Sequence, residues 1–390
     1  MIESLVKVFS TVQVPIDWDV FHEHKINSAE GEDVSPKLLE SLCRNKIGIK
    51  GPFESGPCLR KLRKKFQLFA FVAVCRNLEG QNTRYGKLDC LIIRDQVEGE
   101  YSGIEHRVVP GVMQTIKVST AEGADRMARY VFEYAKKNNR KKITVAHKAN
   151  IMRLTDGTFL SPMRREAAKY QDDIMFEERY LDTVCLAMLM KPERKDVLVA
   201  SSMYGDVLTF MAASIMGGPA LCPGFAVGPM GLIYEPIIHT NTNIAGKDIV
   251  NPTGMLLSGV LMLREMKLNE YADKICCAVS TVFRETDCRT KDLGVQIIVI
   301  AKTIQQFLSS PVTLKASPIE YRDPIGQDHC LLVPMSTYND RTIMCRHFYH
   351  VPHSMGTVQI KAQCRFVKYN IVASTAHGTA EAQTSVHAKP

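Results

Sequence analysis

The 390-residue chain contains no run of about 18 or more apolar residues, so a membrane-spanning helix is not expected. None of its twelve cysteines stands in a C-x-x-C pair, which argues against a zinc ribbon or a thioredoxin-type centre. Thiols scattered in this way read as buried, reduced side chains in the cytosol or an organelle matrix. The net charge is +8, yet the basic residues are spread along the chain and not gathered on one helix. Dedicated nucleic-acid binding is therefore not expected. The opening residues, Met1-Ile-Glu-Ser-Leu-Val-Lys-Val-Phe, form neither an Arg- and Ser-rich amphipathic leader nor a signal peptide.

What is present suits a soluble globular protein. A content of 45% hydrophobic and 23% charged residues supports a large core, as one big domain or two moderate ones. Helical and strand-like patterns alternate, which marks an α/β fold. Residues 121–137 read as a helix, with Ser119 and Glu122 as a capping box and Ala124, Met127, Ala128, Val131 and Ala135 on one face. Further helices are expected over 35–44, 204–216, 252–266 and 270–284. Buried strands are expected over 88–93, 108–118, 143–148 and 197–200. Residues 357–366 alternate apolar and polar side chains, the pattern of an amphipathic strand. Cys345, His347, His350 and His353 have the donor chemistry of a zinc site, but surface histidines in a loop containing Pro352 are the favoured reading. From Ser374 onward the chain is small and polar, and disorder is expected.

Two aspartates carry the chemical signal. Asp182 stands in Tyr180-Leu-Asp-Thr-Val-Cys, and Asp206 in Met203-Tyr-Gly-Asp-Val-Leu, just after the strand-like Asp196-Val-Leu-Val-Ala. Carboxylates at such junctions can hold Mg²⁺ or Mn²⁺ against substrate oxygens. Three further segments accompany them: Val145-Ala-His-Lys-Ala-Asn-Ile-Met-Arg, Glu98-Gly-Glu-Tyr-Ser-Gly and Ile244-Ala-Gly-Lys-Asp-Ile-Val-Asn-Pro-Thr. With these in order, the chain closely resembles the isocitrate/isopropylmalate dehydrogenase family over residues 2–308, nearest its alpha-like NAD-linked isocitrate dehydrogenase branch.

The resemblance implies an α/β fold with a large cofactor-side domain, residues 1–94 and 236–309, and a smaller dimer-forming domain, 95–235. Residues 310–390 are an added tail. Family members open with a strand and a glycine-rich turn ahead of the helix that matches residues 1–12; a truncated sequence is the favoured reading, and otherwise the large sheet is left with unpaired backbone. The implied reaction passes a hydride from a small, isocitrate-like hydroxy acid to NAD and then releases CO₂. It needs a metal at the hydroxyl oxygen, a base and an acid, and arginines for the carboxylates. Lys148 matches the base-relay lysine and Tyr101 the acid. Arg63, Arg94 and Asn150 match substrate contacts. Asp206 matches a metal ligand, and Asp182 the ligand that a neighbouring subunit supplies. Asn243, Asn251 and Asp292 match cofactor contacts. The family also implies a homo- or hetero-oligomer of isocitrate dehydrogenase subunits in the mitochondrial matrix.

Several matches fail. The third carboxylate-binding arginine falls at Ala73, the second metal aspartate at Phe210, and a cofactor-loop glycine at His239. The glycine after Asp292-Leu-Gly is Val295. The substrate-loop serine and asparagine fall at Pro57 and Leu59, where an apolar loop would also suit an isopropylmalate-like specificity. Arginine to alanine removes a bidentate charge, and phenylalanine cannot coordinate a hard dication. As an independent catalyst the chain is expected to be weak or inactive.

Overall fold

The computed structural model describes residues 1–21, 35–52, 57–81, 83, 85, 87–238, 242–244, 247, 249–293, 300–309, 358–364 and 367–374. Its first part comprises α1 (Ile2–Val12), β1 (Ile16–Val20), α2 (Pro36–Asn45), β2 (Ile47–Lys50), α3 (Pro57–Lys65), β3 (Ala70–Arg76) and β4 (Asp89–Asp95). The middle holds β5 (Gly99–Val109), β6 (Val112–Val118), α4 (Ala121–Lys137), β7 (Lys142–His147), α5 (Thr155–Ala167), β8 (Met175–Tyr180), α6 (Leu181–Met190), β9 (Val197–Ala200) and α7 (Ser202–Ile215). After these come β10 (Pro223–Gly228), β11 (Gly231–Pro236), α8 (Thr253–Glu265), α9 (Asn269–Glu285), α10 (Ile300–Ser309), β12 (Val358–Cys364) and β13 (Val367–Ser374).

The architecture is α/β, as the alternating patterns imply. One mixed sheet runs β1-β12-β13-β2-β11-β10-β3-β4-β9-β7-β8. Its centre is built from continuous apolar runs: every residue of β9 is buried, as is β4 beyond Asp89. Such runs belong to strands covered on both faces. One cover is α8, whose residues Thr253–Arg264 are all buried, in keeping with a sequence apolar around its circumference.

Two local expectations are corrected. Residues 108–118 form no buried strand. They span a hairpin bend at Pro110-Gly111, where Gly111 takes a φ of 86°, and Val108, Val109 and Met113 are exposed. A proline followed by a glycine breaks the run, and the apolar residues on either side face outward. The cap of α4 also shifts by one residue: the Thr120 hydroxyl, not Ser119, accepts from the Gly123 N–H. Glu98, distant in sequence, accepts from the Thr120 N–H at 2.8 Å, the task a capping-box glutamate performs locally.

The tail contributes strands. β12 runs antiparallel to β1, with Ile16 opposite Ala362, and β13 meets β2 in parallel at Ser374 and Lys50. Of the strand expected over 357–366, Val358–Cys364 is β12. In the sheet order, these two tail strands lie between β1 and β2. Cys345, His347, His350 and His353, the stretch 375–390, His239 and Val295 lie outside the described residues.

Candidate active site

Three parallel strands bring the candidate residues to one edge of the sheet. Arg94 on β4 is level with Ala200 on β9, and Ala200 with Ala146 on β7. Neighbouring strands lie about 4.8 Å apart, so the carboxyl ends of β4 and β7 are roughly 10 Å from each other. The segments leaving these ends carry Tyr101, Asp206 and Lys148. Ligand sites of open α/β sheets form outside such carboxyl ends.

The first group is Arg94, Tyr101, Asp206 and Arg63. Arg94 lies 3.3 Å from the Asp206 carboxylate, and the Tyr101 hydroxyl donates to the other oxygen of Asp206. The Arg94 guanidinium also stacks 4.9 Å over the Phe71 ring. Helix α7 can approach this closely because residue 205 is glycine. A Cβ there would run into the Cβ of Arg94, which explains the Gly205-Asp206 pair in physical terms. Burial, and then the bond to Asp206, hold the Tyr101 phenol protonated well beyond its ordinary range. Arg63 on α3 points into the same cluster, and its pKa is lowered by burial and by Arg94 while Glu235 and Asp206 oppose the shift. With the Gln96 amide turned to satisfy both groups, its oxygen accepts from Arg63 Nε and Nη2 at 3.2 Å each.

The second group is separate. Lys148 Nζ donates to Asp182 at 2.8 Å, and this bond holds the Asp182 carboxyl below its usual range. Asp182 lies in the first turn of α6 and is exposed. Asn150 is exposed on the turn that follows Lys148. The His147 ring accepts from the Ala149 N–H at 3.1 Å and meets Tyr180 edge-on, while burial lowers its pKa. Among the described residues no hydrogen bond or ion pair joins the Lys148–Asp182 pair to Arg94, Tyr101 or Asp206.

The donor set decides how well the implied metal fits. No group of three or more His, Cys, Asp or Glu side chains among the described residues could hold a metal ion. Asp206 is already engaged by Arg94 and Tyr101. Phe210, one turn later on α7, instead helps to line an apolar cavity of 540 Å³ with Tyr101, Met203, Val207 and Met211. A hard dication needs several oxygens. The described residues of one chain therefore do not fit Mg²⁺ or Mn²⁺.

The remaining candidates divide. Ala73 on β3 is fully buried opposite Ile92, on the face of the sheet that carries Arg94 and Phe71. An arginine there would have faced the same cluster. Leu59 is buried on α3. On the cofactor side, Asn243 is exposed in the short turn Thr242–Ile244. Asn251 is buried, accepting from the Thr253 N–H and hydroxyl and donating to Asp292 at 3.1 Å. Asn251 thereby satisfies the first N–H of α8, and Asp292 remains the exposed member of the pair.

The isocitrate/isopropylmalate dehydrogenase family model matches residues 1–307. The chain belongs to that family. It is 48% identical over 295 residues to a probable NAD isocitrate dehydrogenase alpha subunit, mitochondrial, of Drosophila melanogaster, covering 74% of this chain and 78% of the relative. It is 42% identical over 299 residues to the Homo sapiens NAD isocitrate dehydrogenase alpha subunit, covering 75% and 81%. Among solved structures, isocitrate dehydrogenase from Methylococcus capsulatus superposes with a TM-score of 0.73 at 32% identity, covering 79% of this chain and 95% of that one. Within this family frame, the sequence reading missed Gln96, which braces Arg63, and Asp156, whose carboxylate takes the Lys148 N–H at 2.7 Å. An acidic residue in the first turn of α5 was the available signal for the second. Nothing local pointed to the first.

Proposed function

We propose that this chain is an NAD-dependent isocitrate dehydrogenase-like subunit, weak or inactive alone, that works in a hetero-oligomer with isocitrate dehydrogenase subunits in the mitochondrial matrix. In that assembly it lends Lys148, Asp182 and Asn150 to a partner's site. Lys148, as the neutral amine, would take up the substrate's hydroxyl proton, and Asp182 would hold the ammonium that results. Asn150 would contact substrate from its exposed turn. The observation that carries this reading is the division of the site. Half-buried Lys148 pairs with exposed Asp182 in one place, while Arg94, Tyr101 and Asp206 satisfy one another in another.

The surface next to the lent pair supports association. Leu186, Leu189 and Met190 on α6 and Met203 and Val207 on α7 are exposed. Apolar helix faces of this kind mark protein interfaces. The relatives' names as alpha subunits point the same way.

A second reading is an NAD- and Mg²⁺-dependent decarboxylating dehydrogenase active in its own right. It is favoured by the convergence of Arg63, Arg94 and Tyr101, which keeps an anion-binding pair beside a proton donor. The discriminating experiment is NADH formation from isocitrate by the purified chain, alone and mixed with a family subunit whose own base-relay lysine is replaced. Activity in the mixture only is the expected result. Full turnover by the chain alone would establish the second reading, and silence in both would overturn both.

A further inference from the structure

We infer that Lys117 is a positioning residue that fixes the Lys148 turn to the strand carrying Tyr101 and the helix carrying Asp206, with Asp156 as its link to Lys148. The inference rests on reading Lys148 as the lent base.

The geometry is a hub. Lys117 on β6 reaches Asp156 Oδ1 at 2.8 Å and Glu100 Oε1 at 3.4 Å, and its ammonium lies 4.3 Å over the Tyr204 ring. Each contact borders a candidate residue. Glu100 immediately precedes Tyr101, and Tyr204 stands two residues before Asp206 in α7. Asp156 uses its other oxygen to accept the Lys148 N–H at 2.7 Å. The hub is nearly dry, with side-chain exposure of 8% for Lys117 and 4% for Asp156.

In such surroundings an ammonium with two carboxylates and an aromatic face is held in one geometry, and its removal leaves buried charge unpaired. The hub meets Lys148 at its backbone N–H and not at its ammonium, so its role is to set where Lys148 is presented. Tyr101 and Asp206 belong to the chain's own half-site and Lys148 to the lent half. The hub therefore couples the two halves through one cation.

The test uses Lys117→Met, Lys117→Arg and Asp156→Asn in the full chain. Hydrogen exchange is read at the Lys148 amide, and steady-state kinetics are read in the complex with the lysine-replaced partner. Lys117→Met and Asp156→Asn are expected to speed exchange of the Lys148 amide at least about tenfold, the effect of losing roughly 1.4 kcal/mol of local protection. In the complex they are expected to lower kcat by a similar factor with KM for isocitrate within about twofold, and Lys117→Arg should restore both. Should Lys117→Met fail to fold, Asp156→Asn preserves the shape and answers the same question. Wild-type exchange at Lys148 in both variants would overturn the inference, as would an equal loss for Lys117→Arg. A wild-type complex without activity would refute the proposed function alone, and the exchange measurement would still decide the role of Lys117.

Discussion

At the scale of single residues, two positions next to the site make sharp predictions. Phe210 lies one turn beyond Asp206 on α7, the spacing that puts two side chains side by side. Replacing Phe210→Asp should give the helix a pair of carboxylates, one of them free of Arg94. Calorimetry with Mn²⁺ should then show binding at least about tenfold tighter than the parent chain, and no change would mean that Arg94 keeps the site closed. Asp95, the second residue, is buried and pushed up to about 6 from an ordinary 3.8, chiefly by desolvation. An acid whose folded value is raised favours folding in its neutral form. Its benefit is complete below about 3.8 and is lost as pH rises through about 6. Above that window the buried carboxylate costs up to about 3 kcal/mol, at about 1.4 kcal/mol per pH unit. Asp95→Asn keeps an acceptor for the Val97 and Glu98 N–H groups and removes the charge. The variant should be more stable than the parent at pH 8 and equal to it near pH 4. Denaturant melts at the two pH values measure this, and an equal difference at both would contradict it.

At the scale of elements, the helix α6 has a chemistry that a lone chain does not explain. Leu186, Leu189 and Met190 recur at i, i+3 and i+4 and are 59%, 45% and 68% exposed, while Val184 and Met188 face the core. A helix apolar all round is normally covered all round. Each exposed Leu or Met is worth about 1.5–3 kcal/mol when buried. The double change Leu186→Glu, Met190→Glu should therefore weaken association by at least about a hundredfold, with the circular dichroism of the monomer unchanged. Sedimentation equilibrium measures this, and an unchanged association constant would remove α6 from the interface. The strand β9 shows where sequence patterns suffice. The four apolar residues 197–200 after Asp196 are a strand with those bounds, because a short, fully covered strand needs nothing but apolar side chains. The run 108–118 misleads for the converse reason. Its valines are apolar but face outward on a hairpin, and only the Pro110-Gly111 bend distinguishes it from core.

At the scale of the whole molecule, the site is half legible and half not, and the division has a physical basis. Arg94, Tyr101, Lys148 and Asp206 lie within the short segments that carry the family resemblance, so local wording finds them. Lys117 on β6 and Asp156 on α5 are 39 residues apart and meet only in the folded chain, so no local pattern announces them. Whether the two halves serve different sites is likewise a property of the assembly, and it can be tested by complementation. In a mixture with a lysine-replaced partner, Lys148→Ala in this chain should abolish NADH formation, by a factor of at least about a hundred. Arg94→Ala should leave that activity within about twofold, because Arg94 belongs to the chain's own half-site and not to the lent one. Both variants should assemble as the parent does, checked by co-sedimentation with the partner. If Arg94→Ala is as damaging as Lys148→Ala, the lent pair and the Arg94 cluster serve one and the same site, and the division of the molecule into a lending half and an idle half is wrong.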